Sequence, residues 1–277
     1  MTTSPELCYM GKFLEKYDGG KIYLKKDYWN EGIALICIEH LEKRNAISGK
    51  MYVDFFKCVL ELENWKNGKA LILYGEGPNF CAGGDLDFAK KESNSTAGYY
   101  MSYYMHNILK KIRKLPLISV SLLHGATLGG GAEISTFCDY ILVSDNTKLG
   151  FVQGRMGITT AWGGGTRLVQ IVGQRKALEI LASGKIFNAQ ESLKLDLAYK
   201  IVNTEQRFDQ ALDFVRGLTA YHSTITQSMK LVTEVASEES FEKSLDLERN
   251  EFYTKWGSDI NKEAVSKNIR FVKNEKI

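Results

Sequence analysis

Apolar positions along the chain follow two rhythms. Continuous runs rich in Ile, Val and Leu at 33–38, 70–74, 117–123 and 140–144 predict buried strands. Between them apolar residues recur at helical spacing, first Tyr52, Phe55, Phe56, Val59 and Leu60, then Met101, Tyr104, Met105, Ile108 and Ile112. With a short helix over 130–137, this is the order of βαβ units around a largely parallel sheet. Past residue 164 the pattern turns mostly helical, with a last strand at 198–202 and helices over 208–219, 226–236 and 241–256. The expected organisation is an α/β core over 1–204 and a helical region over 205–277, which buries its apolar faces on the core or on a neighbouring subunit.

Two glycine-rich turns stand where strands give way to helices: Phe80-Cys81-Ala82-Gly83-Gly84-Asp85 and His124-Gly125-Ala126-Thr127-Leu128-Gly129-Gly130-Gly131-Ala132-Glu133. Without a Cβ in the way, peptide N–H groups at such turns can face a ligand. Two turns converging on one oxygen would form an oxyanion hole, which stabilises negative charge developing on a carbonyl. Taken singly, each turn is equally consistent with tight packing of helix on strand.

Composition narrows the class further. The chain has 277 residues, 44% of them hydrophobic, and a net charge of +3 with both signs interspersed. That suits one large folded domain and argues against a nucleic-acid partner. The basic stretch Lys110-Lys111-Ile112-Arg113-Lys114 reads as a solvated helix face, with the phosphates of a ligand as the alternative. No apolar run is long enough to span a bilayer. Residues 1–20 hold Glu6, Glu15 and Asp18, no arginine and no apolar run of signal length, which makes a poor leader. The five cysteines lack CxxC spacing, so a disulfide framework or zinc site is not expected and a reducing, cytosolic setting is. His124 reads as a strand-end histidine, and Arg155 as either an ion-pair partner or a receiver of a substrate carboxylate.

The wording and order of the two turns resemble the crotonase superfamily, the enoyl-CoA hydratases and isomerases. The resemblance runs from about residue 32 to 202 and includes Arg44-Asn45-Ala46, Cys138-Asp139 and Trp162-Gly163-Gly164-Gly165-Thr166-Arg167-Leu168. It implies a ββα spiral core and a trimer or a dimer of trimers. It also implies that the N–H groups of Ala82 and Gly130 hold the thioester carbonyl of an acyl-CoA, with Gly83, Asp85 and Gly129 beside them in the substrate site. Glu133 matches the first of the two hydratase glutamates. Gln153 stands where those enzymes have the second, and an amide can neither donate nor take a proton as a general acid or base.

Several stretches resemble one subgroup, the ethylmalonyl-CoA decarboxylases: Leu60-Glu61-Leu62-Glu63-Asn64-Trp65, Leu115-Pro116-Leu117-Ile118-Ser119-Val120, Met156-Gly157-Ile158 and Lys255-Trp256-Gly257. The resemblance implies decarboxylation of ethylmalonyl-CoA to butyryl-CoA, and of methylmalonyl-CoA more slowly, without metal or organic cofactor. Trp162 or Phe151 is expected to form an apolar wall near the substrate carboxylate, and Glu133 to position that carboxylate or deliver a proton to C2. A hydratase or isomerase working with Glu133 alone, and a non-catalytic acyl-CoA-binding homologue, are the alternatives.

Overall fold

The computed structural model describes residues 4–267, so 1–3 of the expected start and 268–277 of the expected helical region lie outside the described residues. A six-stranded sheet forms the centre. Its strands are β1 (Lys21–Lys25), β2 (Ile33–Glu39), β3 (Ala70–Gly75), β4 (Ile118–Leu123), β6 (Tyr140–Ser144) and β9 (Lys200–Val202), side by side in that order. Only the β1–β2 pair is antiparallel. A smaller sheet, β5 (Ala126–Leu128), β7 (Lys148–Gly150) and β8 (Ile186–Phe187), stands beside it. The mixed α/β expectation holds, and β1 and the small sheet add strands that the apolar runs did not announce.

Both faces of the large sheet are covered, which is why β2 and β3 read as unbroken apolar runs and why even Ser119 and Ser121 of β4 are buried. Ala34, Ile36, Ile38, Leu71 and Leu73 join a core made with α1 (Pro5–Leu14), α2 (Gly49–Glu63) and α4 (Ser95–Lys114). The residues between them, Ile33, Leu35, Ile72, Val120 and Leu122, face a second core completed by Ala211, Leu212 and Val215 of α9 (Arg207–Leu218). This helix lies past residue 204 yet is buried on the sheet, so the α/β body continues through it. The remaining helices are α3 (Leu86–Lys91), α5 (Gly130–Ser135), α6 (Gly164–Val172), α7 (Gln174–Ser183), α8 (Ala189–Lys194), α10 (Ser223–Glu238), α11 (Phe241–Lys255) and α12 (Asp259–Ser266).

Asp139 ties the helical region to this body. Its carboxylate accepts from the Ser119 N–H at 2.7 Å, from Arg113 Nη1 on α4 at 3.0 Å and from Lys230 Nζ on α10 at 2.9 Å. Lys230 also donates to the Leu117 carbonyl at 2.6 Å, so its ammonium is matched inside the protein. Lys111 pairs with Glu63 at 2.7 Å, so Lys111 and Arg113 of the basic stretch of α4 are both held in intramolecular pairs. By contrast α11 and α12 bury no residue, and Phe241, Phe252 and Trp256 are 73%, 60% and 69% exposed.

Burial pushes the thiols of Cys37, Cys58 and Cys81 up to about 12 and that of Cys138 up to about 11. Cys8 on α1 is exposed. No helix among the described residues is long and apolar enough to cross a membrane.

Candidate active site

The two glycine turns meet because the backbone stitches them together. Cys81 N–H donates to the Ala126 carbonyl at 3.1 Å, and Leu128 N–H returns a bond to the Cys81 carbonyl at 3.0 Å. A Cβ on Gly131 would fall 2.1 Å from the Cys81 carbonyl oxygen, so only glycine permits this approach. Gly129 holds φ 53° and ψ −119° at the start of α5, a conformation that side chains resist, while its N–H is bonded to the Gly150 carbonyl at 2.8 Å.

Which N–H groups remain free differs from expectation at one position. Ala82 donates to the Arg44 carbonyl at 3.0 Å, so it cannot serve as an oxyanion donor. That carbonyl is presented by two consecutive left-handed residues, Arg44 at φ 53° and Asn45 at φ 60°. The Asn45 side chain holds the strained turn by donating to the Glu76 and Asn79 carbonyls at 2.8 and 2.7 Å and accepting from His40 N–H at 2.7 Å. Two residues further on, the Gly84 N–H finds no acceptor among the described residues, and neither does that of Gly130. Gly84, Gly130, Gly83, Gly129 and Ala82 line one cavity of about 520 Å³, a size suited to a small ligand.

Trp162 forms one wall of this cavity. Its indole lies against both donor glycines: a Cβ on Gly130 would stand 2.1 Å from its Cζ3, and one on Gly84 3.9 Å from its Cζ2. The Tyr52 ring supports it edge-on at 5.7 Å. Phe151 does not share this role. It is 1% exposed within the core and lies outside the lining, because the tight pairing of β7 with β8 turns it inward beside Leu149.

Glu133 lines the cavity too, but its carboxylate is already engaged. Oε2 accepts from the Trp162 and Gly164 N–H groups at 2.8 and 2.9 Å, and Oε1 from the Ala161 N–H at 3.3 Å and Gln153 Nε2 at 2.8 Å. Glu133 therefore sits on the N-terminus of α6, whose own cap, Gly163, has no side chain to offer. A Cβ on Gly164 would stand 2.5 Å from Glu133 Cγ, which accounts for the glycine run after Trp162. The expectation that Glu133 delivers a proton to C2 does not fit: every neighbour donates to it, and both oxygens serve to hold Trp162 and Gln153. Gln153 is 7% exposed, and its Oε1 meets no donor among the described residues.

Charged groups ring the mouth. Asp85 caps α3 by accepting from Asp87 N–H at 2.9 Å and pairs with Lys43 at 2.8 Å. Lys43 reaches Asp87 as well, at 2.7 Å, and Arg44 and Lys90 line the cavity beside it. Arg155 instead bonds the Gly184 carbonyl at 2.7 Å and does not line the cavity. His124 is buried, bonded to the Gly77 carbonyl at 3.0 Å, and pushed down to about 4 by that burial. It is a structural strand-end residue, as the sequence suggested.

An α/β body whose two glycine turns open on one cavity is the architecture described, and residues 29–272 match the Enoyl-CoA hydratase/isomerase family. The chain belongs to that family. It is 37% identical over 259 residues to the ethylmalonyl-CoA decarboxylase of Xenopus tropicalis, covering 93% of this chain and 86% of the relative. The Rattus norvegicus enzyme of the same name is 35% identical over 265 residues, covering 95% and 88%. Among solved structures, an enoyl-CoA hydratase from Bacillus anthracis superposes with a TM-score of 0.82 at 20% identity, over 88% of this chain and 94% of that one. A putative enoyl-CoA hydratase from Thermobifida fusca, solved with acetoacetyl-CoA, gives 0.75 at 21% identity over 91% and 97%.

Proposed function

We propose that this protein is a carboxy-lyase that decarboxylates ethylmalonyl-CoA to butyryl-CoA, and methylmalonyl-CoA more slowly, a repair activity in acyl-CoA metabolism. The observation that carries the reading is the pair of unengaged N–H groups, Gly84 and Gly130, beside an apolar wall in a site where Gln153 replaces a titratable group. The names of the relatives support the same substrate. The thioester carbonyl oxygen accepts both N–H groups. The bond from C2 to the carboxylate breaks, CO₂ leaves, and the electron pair passes into a thioester enolate whose oxygen charge those donors stabilise. A proton is then taken up at C2. The thioester is the electron sink, so the steps written here need no metal or organic cofactor.

Trp162, which lines the cavity against Gly84 and Gly130, is the wall assigned to the substrate carboxylate, and its ring offers no hydrogen-bond partner from its face. A carboxylate held there is poorly solvated, and its loss as neutral CO₂ relieves that. Lys43, Arg44 and Lys90 at the mouth suit the phosphates of the CoA moiety. Five unpaired cysteines suit a reducing compartment such as the cytosol. The exposed aromatic residues of α11 suit burial against a second copy of the chain in a trimer or hexamer.

Mass-spectrometric screening of the purified protein against ethylmalonyl-, methylmalonyl-, malonyl- and crotonyl-CoA tests the proposal. Loss of CO₂ from the ethyl substrate faster than from the methyl one is expected. Faster hydration of crotonyl-CoA, or acyl-CoA binding with no turnover at all, would overturn it.

A further inference from the structure

The segment that precedes the family-matched residues packs against α3, which lines the cavity. The match begins at residue 29, and α1 with the turn up to Gly19 lies before it. Leu7, Met10 and Leu14 bury the helix, and close approaches fix its end. A Cβ on Gly49, at the start of α2, would clash outright, 2.2 Å from the Leu14 carbonyl oxygen and 2.8 Å from Tyr17 Cβ. The glycine thus lets the segment seat directly on α2. There Lys50 N–H donates to the Tyr17 carbonyl at 2.8 Å, and Ser48 Oγ donates to the Gly19 carbonyl. One residue earlier, Ile47 holds the first glycine turn, donating to the Gly83 carbonyl at 2.8 Å and accepting from Asp85 N–H at 3.0 Å.

The Tyr17 side chain continues to α3. Its ring stands edge-on to Phe88 with centroids 4.8 Å apart, and its hydroxyl donates to Glu92 at the end of that helix. Phe13 backs the contact, 5.7 Å from Tyr17 and 5.5 Å from Tyr100. Phe88 is the buried residue of α3 and lines the cavity. A helix of under two turns has little cohesion of its own. Its place depends on Phe88 and Glu92 at one end and on Asp85 with Lys43 at the other.

We infer that Tyr17 is a positioning residue for substrate: by holding Phe88 and Glu92 it fixes α3 as a wall of the cavity. The inference rests on the reading that this cavity takes an acyl-CoA. Releasing α3 removes contacts made equally to bound substrate and transition state, while the Gly84 and Gly130 donors stay in place. KM and Kd therefore rise and kcat holds.

The experiment measures butyryl-CoA binding by calorimetry, ethylmalonyl-CoA kinetics and thermal melting for wild type, Tyr17→Ala, Tyr17→Phe and Tyr9→Ala. Tyr17→Ala is expected to raise Kd and KM about tenfold with kcat within about twofold. Tyr17→Phe keeps the ring and recovers most of the loss, and it tests the hydroxyl if the alanine variant does not fold. Tyr9, exposed on α1 just before the turn that carries Tyr17, controls for general loosening of that helix. A folded Tyr17→Ala protein with wild-type Kd and KM overturns the inference, as does an equal loss in Tyr9→Ala. A wild-type protein that fails to bind butyryl-CoA sinks the acyl-CoA reading instead.

Discussion

The cavity has two unlike walls. The glycine-turn wall is made of backbone, bonded strand to turn at Cys81, Ala126 and Leu128 and braced by Glu133 through the amides that carry Trp162. The α3 wall is a single short helix held by side chains. Backbone stitching leaves few soft degrees of freedom, whereas side-chain clamps open at lower cost. Chemistry that needs fixed donors belongs on the first wall, and admission of a bulky thioester on the second.

The comparison breaks most sharply at Gly130. Even Gly130→Ala drives a methyl into the Trp162 ring, so the donor and the apolar wall are lost together. Turnover is expected to fall at least about 100-fold, the range set by one lost oxyanion donor. Near-normal kcat in a folded variant would remove Gly130 from the site.

Gln153→Glu is the next largest. It sets a second carboxylate against Glu133 Oε1, where the amide nitrogen now donates at 2.8 Å. Like charges at that distance raise the pKa of one of the pair, and the added charge repels a substrate that carries its own. Ethylmalonyl-CoA decarboxylation is expected to drop about tenfold, with a trace of crotonyl-CoA hydration. Unchanged decarboxylation would show that this side chain does not face the substrate carboxylate.

The smallest effect on turnover is expected at His124, which supports the fold behind both turns. Its folded imidazole titrates near 4 against 6.5 for the ordinary group. Above 6.5 neither state binds the proton. Below it the unfolded chain does so first, so stability declines as pH falls toward 4. Denaturant midpoints between about pH 7 and 4.5 should drop, and His124→Gln should flatten that slope while leaving kcat unchanged at neutral pH. An identical slope in the variant would move the acid sensitivity elsewhere.

Much of this was legible in the chain. The parallel strands announce themselves because both faces of β2, β3 and β4 are covered, and the glycine turns because their spacing to each strand is short. The free donor stands two residues beyond the Ala82 N–H that the resemblance implies, since a carbonyl from the separate Arg44-Asn45 turn occupies that N–H. Two successive residues of positive φ leave no mark in a sequence unless one of them is glycine. Nothing local to Glu133 announces that its carboxylate caps α6, a partner 31 residues further along the chain. Phe151 is as apolar as Trp162 in sequence, but it is buried in the core beside the small sheet and does not line the cavity. The strands of that sheet span two or three residues each, too few for a period to show.

The uneven burial of the thiols has a practical consequence. Cys37, Cys58, Cys81 and Cys138 are walled off and hold their protons, while Cys8 lies open to solvent on α1, the helix that precedes Tyr17. A maleimide dye added near neutral pH should attach at that one position without any engineered cysteine. The emission of such a label would turn the seating of the N-terminal helix into an optical signal.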